Sequence, residues 1–452
     1  MNEKVVLIGA GSAMFTRGLL ADMIRQNWEG ELALVDIDSE ALETAKKLSD
    51  KIVKGKGSPL KITATTNRRN ALKDATVVIC TIAVGGRRAW ETDVFIPRKY
   101  GIYQPVGDSV MPGGTSRALR MIPAMVAIAK DVMELSPKAL FFNYANPMSC
   151  ICRAVRKATG AEVTGLCHGV FHVASMIAKI LDVDPEKLNY TACGINHLAW
   201  FTELWTGGKD LMKELRKKAE EELKKSGIRK SRNGSEEKYG GLAANTIPFT
   251  WEMVELFNAF PAVLDRHITE FFPHMMSAEK GYYGKTLGVD AFSFEDTIRL
   301  GDNIFEEMKK DAASPSPLSH EYLNKMGGEH EQCTGIIESI RHDRKSVFSV
   351  NLPNWGQIPN LPHDAVVECP AITTRDGLRP LMLKPLSSGI VGTLATRFMW
   401  VETTVEAALE GSRDKFIQAL LLDGSVKTID TASKMADEFL EVHSEYLPQF
   451  KK

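Results

Sequence analysis

Lys4-Val5-Val6-Leu7-Ile8-Gly9-Ala10-Gly11-Ser12 is the stretch that decides the fold. Its apolar run reads as a short buried β-strand, and Gly9-Ala10-Gly11-Ser12 reads as a tight turn. From Ala13 to Arg25 apolar residues recur at helical spacing, and Leu32-Ala33-Leu34-Val35-Asp36 is the next strand. The unit is β-α-β. Two glycines let the backbone turn sharply and approach a pyrophosphate, whose charge would lie on the first amide groups of the following helix. Asp36 stands 25 residues after Gly11 at the end of the second strand, where a carboxylate accepts hydrogen bonds from ribose hydroxyls and repels a 2′-phosphate. The expected cofactor is NAD rather than NADP, held by Gly9, Gly11, Ser12 and Asp36. Met14 occupies the third glycine position of G-x-G-x-x-G, so the fingerprint is incomplete.

Working outward, Ala75-Thr76-Val77-Val78-Ile79-Cys80-Thr81-Ile82 is another buried parallel strand running to Gly85-Gly86. Ala139-Leu140-Phe141-Phe142-Asn143 is a further one running to Asn146-Pro147. Ligands of doubly wound sheets collect at these carboxyl ends, which adds Gly85 to the cofactor set. The expected fold is α/β, with a Rossmann-like doubly wound sheet over residues 1–195 and a C-terminal α+β domain over 196–452 for substrate binding, catalysis and oligomerisation. A chain of 452 residues, 44% hydrophobic and 25% charged, has ample core for two such domains.

A net charge of −1 and a pI near 6.8 give no field for nucleic acid or an acidic membrane. No apolar stretch is long enough to span a bilayer, and Met1-Asn2-Glu3-Lys4 runs into the first strand without a signal peptide, so the cytoplasm is the expected compartment. The seven cysteines are odd in number and scattered, unlike a secreted disulfide framework, and there is no C-x-x-C pair for a zinc ribbon or a thioredoxin-type site. Cys80 and Cys369 read as core. Residues 209 to 239 read as a charged amphipathic helix followed by a loop, a solvated excursion from the fold. Ser314-Pro315-Ser316-Pro317 is a loop.

Chemistry concentrates in three later segments: Asn143-Tyr144-Ala145-Asn146-Pro147-Met148, Cys167-His168-Gly169-Val170 and Gly194-Ile195-Asn196-His197. Thiolate plus imidazole suits a divalent transition metal with coordination positions left for substrate oxygens. Cys167 and His197 each end a short apolar segment, so neighbouring strand ends could bring them together; by spacing alone, two core residues is the simpler reading.

Taken with Val6-Leu7-Ile8-Gly9-Ala10-Gly11-Ser12 and Asn360-Leu361-Pro362-His363-Asp364-Ala365-Val366-Val367-Glu368, these segments make the chain resemble glycoside hydrolase family 4 along nearly its whole length. The fold of that family is itself similar to the lactate/malate dehydrogenase superfamily. The resemblance implies a glycosidase in which Cys167 and His197 bind a divalent metal, usually Mn²⁺, beside NAD, an exception to two-carboxylate hydrolysis. It implies transient oxidation at C3 of the sugar, loss of the C2 proton, departure of the glycosidic oxygen from C1, addition of water and re-reduction.

Supporting roles follow from the same resemblance. Asn146 would contact substrate hydroxyls near the metal, and Asp108, in the turn-rich Val106-Gly107-Asp108-Ser109, would border the sugar or simply cap a turn. For the base at C2 the stretch Val263-Leu264-Asp265-Arg266-His267-Ile268-Thr269-Glu270 offers no tyrosine, leaving Asp265, with Tyr282 and Tyr283 as alternatives. His168 after the cysteine resembles the branch acting on unphosphorylated α-glycosides, and with Gly169-Val170 it is most similar to the α-galacturonidase and α-glucuronidase group. A uronate carboxylate needs a cationic fork, for which Arg87, Arg88 and Arg266 are candidates. Other readings stay open: an α-glucosidase or α-galactosidase of the same family, a lactate/malate-type NAD dehydrogenase, and a non-catalytic NAD sensor. The expected partner is a small glycoside, and the expected assembly a homodimer or homotetramer.

Overall fold

The computed structural model describes residues 1–12, 15–225, 247–275, 294–326 and 332–451. Its core is one sheet whose N-terminal part contains β1 (Asn2–Ile8), β2 (Glu29–Val35), β3 (Lys61–Thr65), β4 (Val77–Cys80), β5 (Leu140–Asn143) and β6 (Thr164–Gly165). These run parallel in the order 3-2-1-4-5-6, that of the dinucleotide-binding fold. The α/β doubly wound architecture expected from the glycine turn is present.

Both faces are covered, because successive residues of a strand point to opposite sides. Val5 and Leu7 pack with Leu19 and Leu20 of the helix Phe15–Arg25 and with Ile336 and Ile337 of the helix Cys333–Arg341. Val6 and Ile8 pack with Met121 and Met125 of the helix Met111–Leu135 and with Ile151 and Val155 of the helix Met148–Thr159. Helix ends are set locally. Asp38 accepts from the amides of Glu40 and Ala41 to start the helix Ser39–Lys56, and Gly57 ends it at a φ of 62°.

Beyond β6 the sheet turns antiparallel, with β11 (Val347–Pro353), β12 (Val366–Thr374), β7 (Asn189–Ile195), β8 (Leu198–Thr206) and β10 (Phe260–Pro261) following in that order. β9 (Lys209–Asp210) pairs with β8, and β13 (Gly377–Pro380) pairs with β12. The sheet therefore runs without a break through residue 195, and the hairpin of β7 and β8 straddles that position. A single transverse row passes through Cys80, Asn143, Gly165, Asn351, Glu368 and Gly194. Asn146, Cys167 and His197 each lie two or three residues past a member of it.

The charged segment after residue 209 is not wholly solvated. In the helix Met212–Lys225, Leu215, Ala219 and Leu223 recur at four-residue spacing and pack with Trp251 and Val254 of the helix Pro248–Phe257. The remainder of that segment lies outside the described residues. Among the described residues no helix is long and apolar enough to cross a membrane.

Candidate active site

The nucleotide turn has the geometry its glycines suggest. Gly9 sits at a φ of 95°, and a Cβ there would lie 2.8 Å from the Ile82 amide nitrogen, so only glycine fits between the ends of β1 and β4. Asp36 closes the turn: its Oδ2 accepts the Gly11 amide at 2.8 Å and its Oδ1 accepts the Asp38 amide at 3.0 Å. Ser12 donates its own amide back to the Gly9 carbonyl, and its hydroxyl lies 3.5 Å from the Phe15 amide at the helix start. Beside Asp36, Ile37 is 92% exposed and presents an apolar surface at the strand end. Gly85, at a φ of 78°, caps the helix Gly86–Lys99 that follows β4.

The second half of the site is assembled from four separate segments. The loop between the helices Gly86–Lys99 and Met111–Leu135 carries Asp108, whose Oδ2 accepts from Asn146 Nδ2 at 3.0 Å. The Ser109 hydroxyl lies 2.8 Å from Asp108 Oδ1 and 2.8 Å from His197 Nδ1, so it links the carboxylate to the imidazole. His197 occupies the two-residue turn between β7 and β8 at a φ of 63°, a strained conformation of the kind concentrated at functional sites. Its neighbour Asn196 is tied to Glu368 in the adjoining β12, which anchors the turn. His267 arrives from the helical turn Asp265–Ile268 and stacks obliquely on His197, with ring centroids 4.4 Å apart.

Asp108, His197 and His267 thus offer one oxygen and two nitrogen donors within 4.8 Å of one another. Burial drives both imidazoles neutral against the pull of Asp108, His197 to about 4 and His267 to about 3. Burial opposes ionisation of Asp108, but His197, His267, Arg117 and the Ser109 hydroxyl together hold its carboxyl below the usual range. A neutral imidazole and an ionised carboxylate are the forms that ligate metal. Buried polar atoms at this place lack a hydrogen-bond partner among the described residues: Asn146 Oδ1, His267 Nδ1 and Glu270 Oε2. Such orphaned atoms mark space for a ligand. Cys167, half-buried just past β6, receives the Gly169 amide at 3.4 Å. The adjacent His168 is exposed, precedes the helix Gly169–Ile180 and lies within electrostatic range of His197 and His267.

The remaining candidates from the sequence lie in other settings. Asp265 is a helix cap: its carboxylate accepts the amides of Phe249 and Thr250 and the Thr250 hydroxyl at 2.7 to 3.0 Å, anchoring the helix Pro248–Phe257. Burial raises its pKa to about 6, but both oxygens are committed to that helix start. Arg87 pairs with Asp302 through Nε, and Arg88 spends its two terminal nitrogens on Glu91 and Asp302. Arg266 differs. It is largely buried, bonds Thr297 at 2.9 Å and senses the charges of Asp108 and Glu270. Tyr282 and Tyr283 lie outside the described residues.

His267 and Glu270 were not singled out from the sequence, although both stand in the stretch Val263 to Glu270. Glu270 is 1% exposed; its Oε1 accepts the amides of Val106 at 2.9 Å and Gly107 at 2.8 Å. Burial pushes its carboxyl up to about 8 in spite of those two bonds.

Fold and site together define the class: a Rossmann-type protein whose nucleotide turn shares one sheet with a cluster of two imidazoles and a carboxylate, Cys167 standing just past β6 outside that cluster. The chain belongs to the family 4 glycosyl hydrolases. Residues 4–183 match the model of that family and residues 192–426 match the model of its C-terminal domain. It is 30% identical to the α-galactosidase of Rhizobium meliloti (strain 1021) over 99% of this chain and 89% of that one. It is also 30% identical to the α-galacturonidase of Lachnoclostridium phytofermentans, over 99% and 97% respectively. A 6-phospho-α-glucosidase from gut microorganisms, solved in complex with NAD and Mn²⁺, superposes with a TM-score of 0.81 at 21% identity, covering both chains completely. The enzyme is a glycosidase, which removes the dehydrogenase and sensor readings.

Proposed function

We propose that this enzyme hydrolyses an α-linked uronide, a galacturonide or glucuronide, with NAD and a divalent metal as cofactors. The observation that carries the reading is the joining of Asp108, Asn146, His197 and His267 into one cluster, buried at His197 and half-buried elsewhere, with unsatisfied polar atoms. The nucleotide fits on two counts: Gly9 leaves no room for a side chain, and Asp36 with exposed Ile37 offers a carboxylate for ribose and an apolar surface for a base. The metal fits the donor chemistry of Asp108, His197 and His267, which lie within 4.8 Å of one another; His197 would be a ligand from this cluster, and Cys167 would be the thiolate ligand implied by the family resemblance. Bound NAD supplies a reversible hydride acceptor for C3 of the sugar, and the metal polarises the oxygens beside it.

The chain's own groups then divide the work. Asn146 orients the sugar hydroxyls through its side chain, while its backbone carbonyl is fixed by Arg117 Nε at 3.0 Å. Asp108, the carboxylate that lies in the cluster with His197 and His267, takes the proton from C2, with Ser109 and Asn146 each holding one of its oxygens in place. Arg266 is the cation for the uronate carboxylate, and His168 lies at the sugar's edge. In this reading residues 1–195 bind the nucleotide and residues 196–452 supply most of the substrate side.

The test is hydrolysis of aryl α-galacturonides in deuterated water with NAD, Mn²⁺ and a thiol reductant. Deuterium is expected at C2 of the released sugar with no growth of NADH, because C2 is ionised and restored in each turnover. Unlabelled product together with no isotope effect from C2-deuterated substrate would rule the route out. Comparable kcat/KM values for the uronide and the neutral α-galactoside would instead remove the uronide specificity and leave an α-galactosidase.

A further inference from the structure

We propose that Glu270 is a positioning residue, one that clamps the Val106-Gly107 backbone so that Asp108 and Ser109 are held against His197 and His267. Glu270 never needs to touch the sugar in this role. Its Oε1 accepts two successive amides, 2.9 Å from Val106 and 2.8 Å from Gly107, immediately before Asp108 in the chain. Successive amides converging on one oxygen form an anion-type nest, which fixes the backbone direction on both sides of the peptide. The loop is held from its opposite side by Trp90, whose indole donates to the Val106 carbonyl at 2.7 Å. The bend at Gly107 requires a glycine. It sits at a φ of 63°, and a Cβ there would lie 2.7 Å from Val94.

The clamp matters because of where Glu270 comes from. His267 and Glu270 are three residues apart in the consecutive helical turns Asp265–Ile268 and Thr269–Phe271, so they leave the backbone on the same side. One delivers an imidazole to the cluster, and the other grips the chain one and two residues before Asp108. The separation between Asp108 and His267 is thereby set by a single rigid segment. Ser109 passes the constraint on to His197. Because burial keeps the Glu270 carboxyl up near about 8, an uncharged acceptor of the same reach does the same work.

The inference rests on the metal-dependent reading above, and its test separates the two. Glu270→Gln keeps the reach and removes the ionisable group, whereas Glu270→Asp keeps the carboxyl and withdraws the oxygen by one methylene. Mn²⁺ titrations of the NAD-loaded protein, without substrate, should show Glu270→Asp and Glu270→Ala weakened by about tenfold or more, the range for lost outer-shell partners, with Glu270→Gln close to the wild type. Hydrogen exchange across residues 102–110 should accelerate in the Asp and Ala proteins and not in the Gln protein. NAD affinity, read at the distant glycine turn, should be unchanged in all of them and reports that each has folded. The reverse order, with Asp rescuing and Gln failing, would overturn the proposal in favour of a role for the charge. Unchanged exchange in the Asp protein would overturn it too. A wild type that binds no Mn²⁺ would refute the metal reading, while the exchange experiment still decides the clamp.

Discussion

Replacing Asp36 by Ala separates the two tasks that the carboxylate performs. In the free protein it accepts the Gly11 amide at 2.8 Å and the Asp38 amide at 3.0 Å, and it is half-exposed. Charge-assisted bonds of this kind contribute on the order of 1 kcal/mol each where water can compete, so about 2 kcal/mol of turn order is lost with the side chain. If that order has to be restored when NAD binds, affinity falls by about 30-fold, since each 1.4 kcal/mol is a factor of ten. Loss of the ribose contact adds to that figure. NADP is affected in the opposite sense, because the repulsion of its 2′-phosphate goes with the carboxylate, and the preference for NAD should narrow by about tenfold or more. Asp36→Asn retains an oxygen for the Gly11 amide, so it should bind NAD better than Asp36→Ala while discriminating no better. Calorimetric titration of both nucleotides into the three proteins gives all six constants. An unchanged ratio of NAD to NADP affinity in Asp36→Ala would mean that another group reads the ribose and that Asp36 only holds the turn.

Alkylation of Cys167 should abolish activity, and chelator treatment should be reversed by Mn²⁺ only under reducing conditions; a fully active, metal-free Cys167→Ser enzyme would dispose of the thiolate ligand. His197 carries a pH signature. With its pKa lowered by burial to about 4 against an ordinary 6.5, the unfolded chain binds more protons in between, so stability is intact above pH 6.5 and is lost as pH falls toward 4. The contribution is about 3 kcal/mol, and urea unfolding of the metal-free protein should show a shallower acid slope in His197→Gln, whereas equal slopes would contradict the assignment. Arg120→Met should cost about 3–5 kcal/mol of unfolding free energy, because it strips the buried carboxylate of Asp93 of its main partner and leaves, among the described residues, Ser116 and His443. A loss below about 1 kcal/mol would show that the pair contributes little.

What could be read from the sequence is what is local or periodic. The strand from Lys4, the turn at Gly9 and Gly11 and the carboxylate at Asp36 are all encoded within one β-α-β unit, and each appears where the spacing placed it. Cys167 and His197 stand out through motifs, and the row of paired residues through Gly165 and Gly194 sets each just past a strand of the same sheet. The partners of Asp265 are invisible to any local pattern: the amides it caps belong to residues 249 and 250, ahead of it in the chain and across a turn. Arg88 shows half of its fate locally, with Glu91 three residues on, but Asp302 is 214 positions away. The contact between Glu270 and the Val106-Gly107 amides spans 164 and 163 positions, beyond any periodicity.

The interleaving of β11 and β12 between β6 and β7 has a consequence for how the enzyme is made. Synthesis proceeds from the N-terminus, and domains ordinarily fold as they emerge. Here the parallel strands through β6 can pair early, but the hairpin carrying His197 joins the sheet only through β12, whose residues lie some 170 positions later. Until β11 has left the ribosome the edge of β6 stands open, and until β12 has followed it the β7–β8 hairpin has no strand linking it to that edge. A nascent chain stalled before that point should therefore recognise nucleotide through its glycine turn while having no metal pocket. The two cofactor sites come into being at different moments, the second fixed by the late insertion of a strand pair into the middle of the sheet.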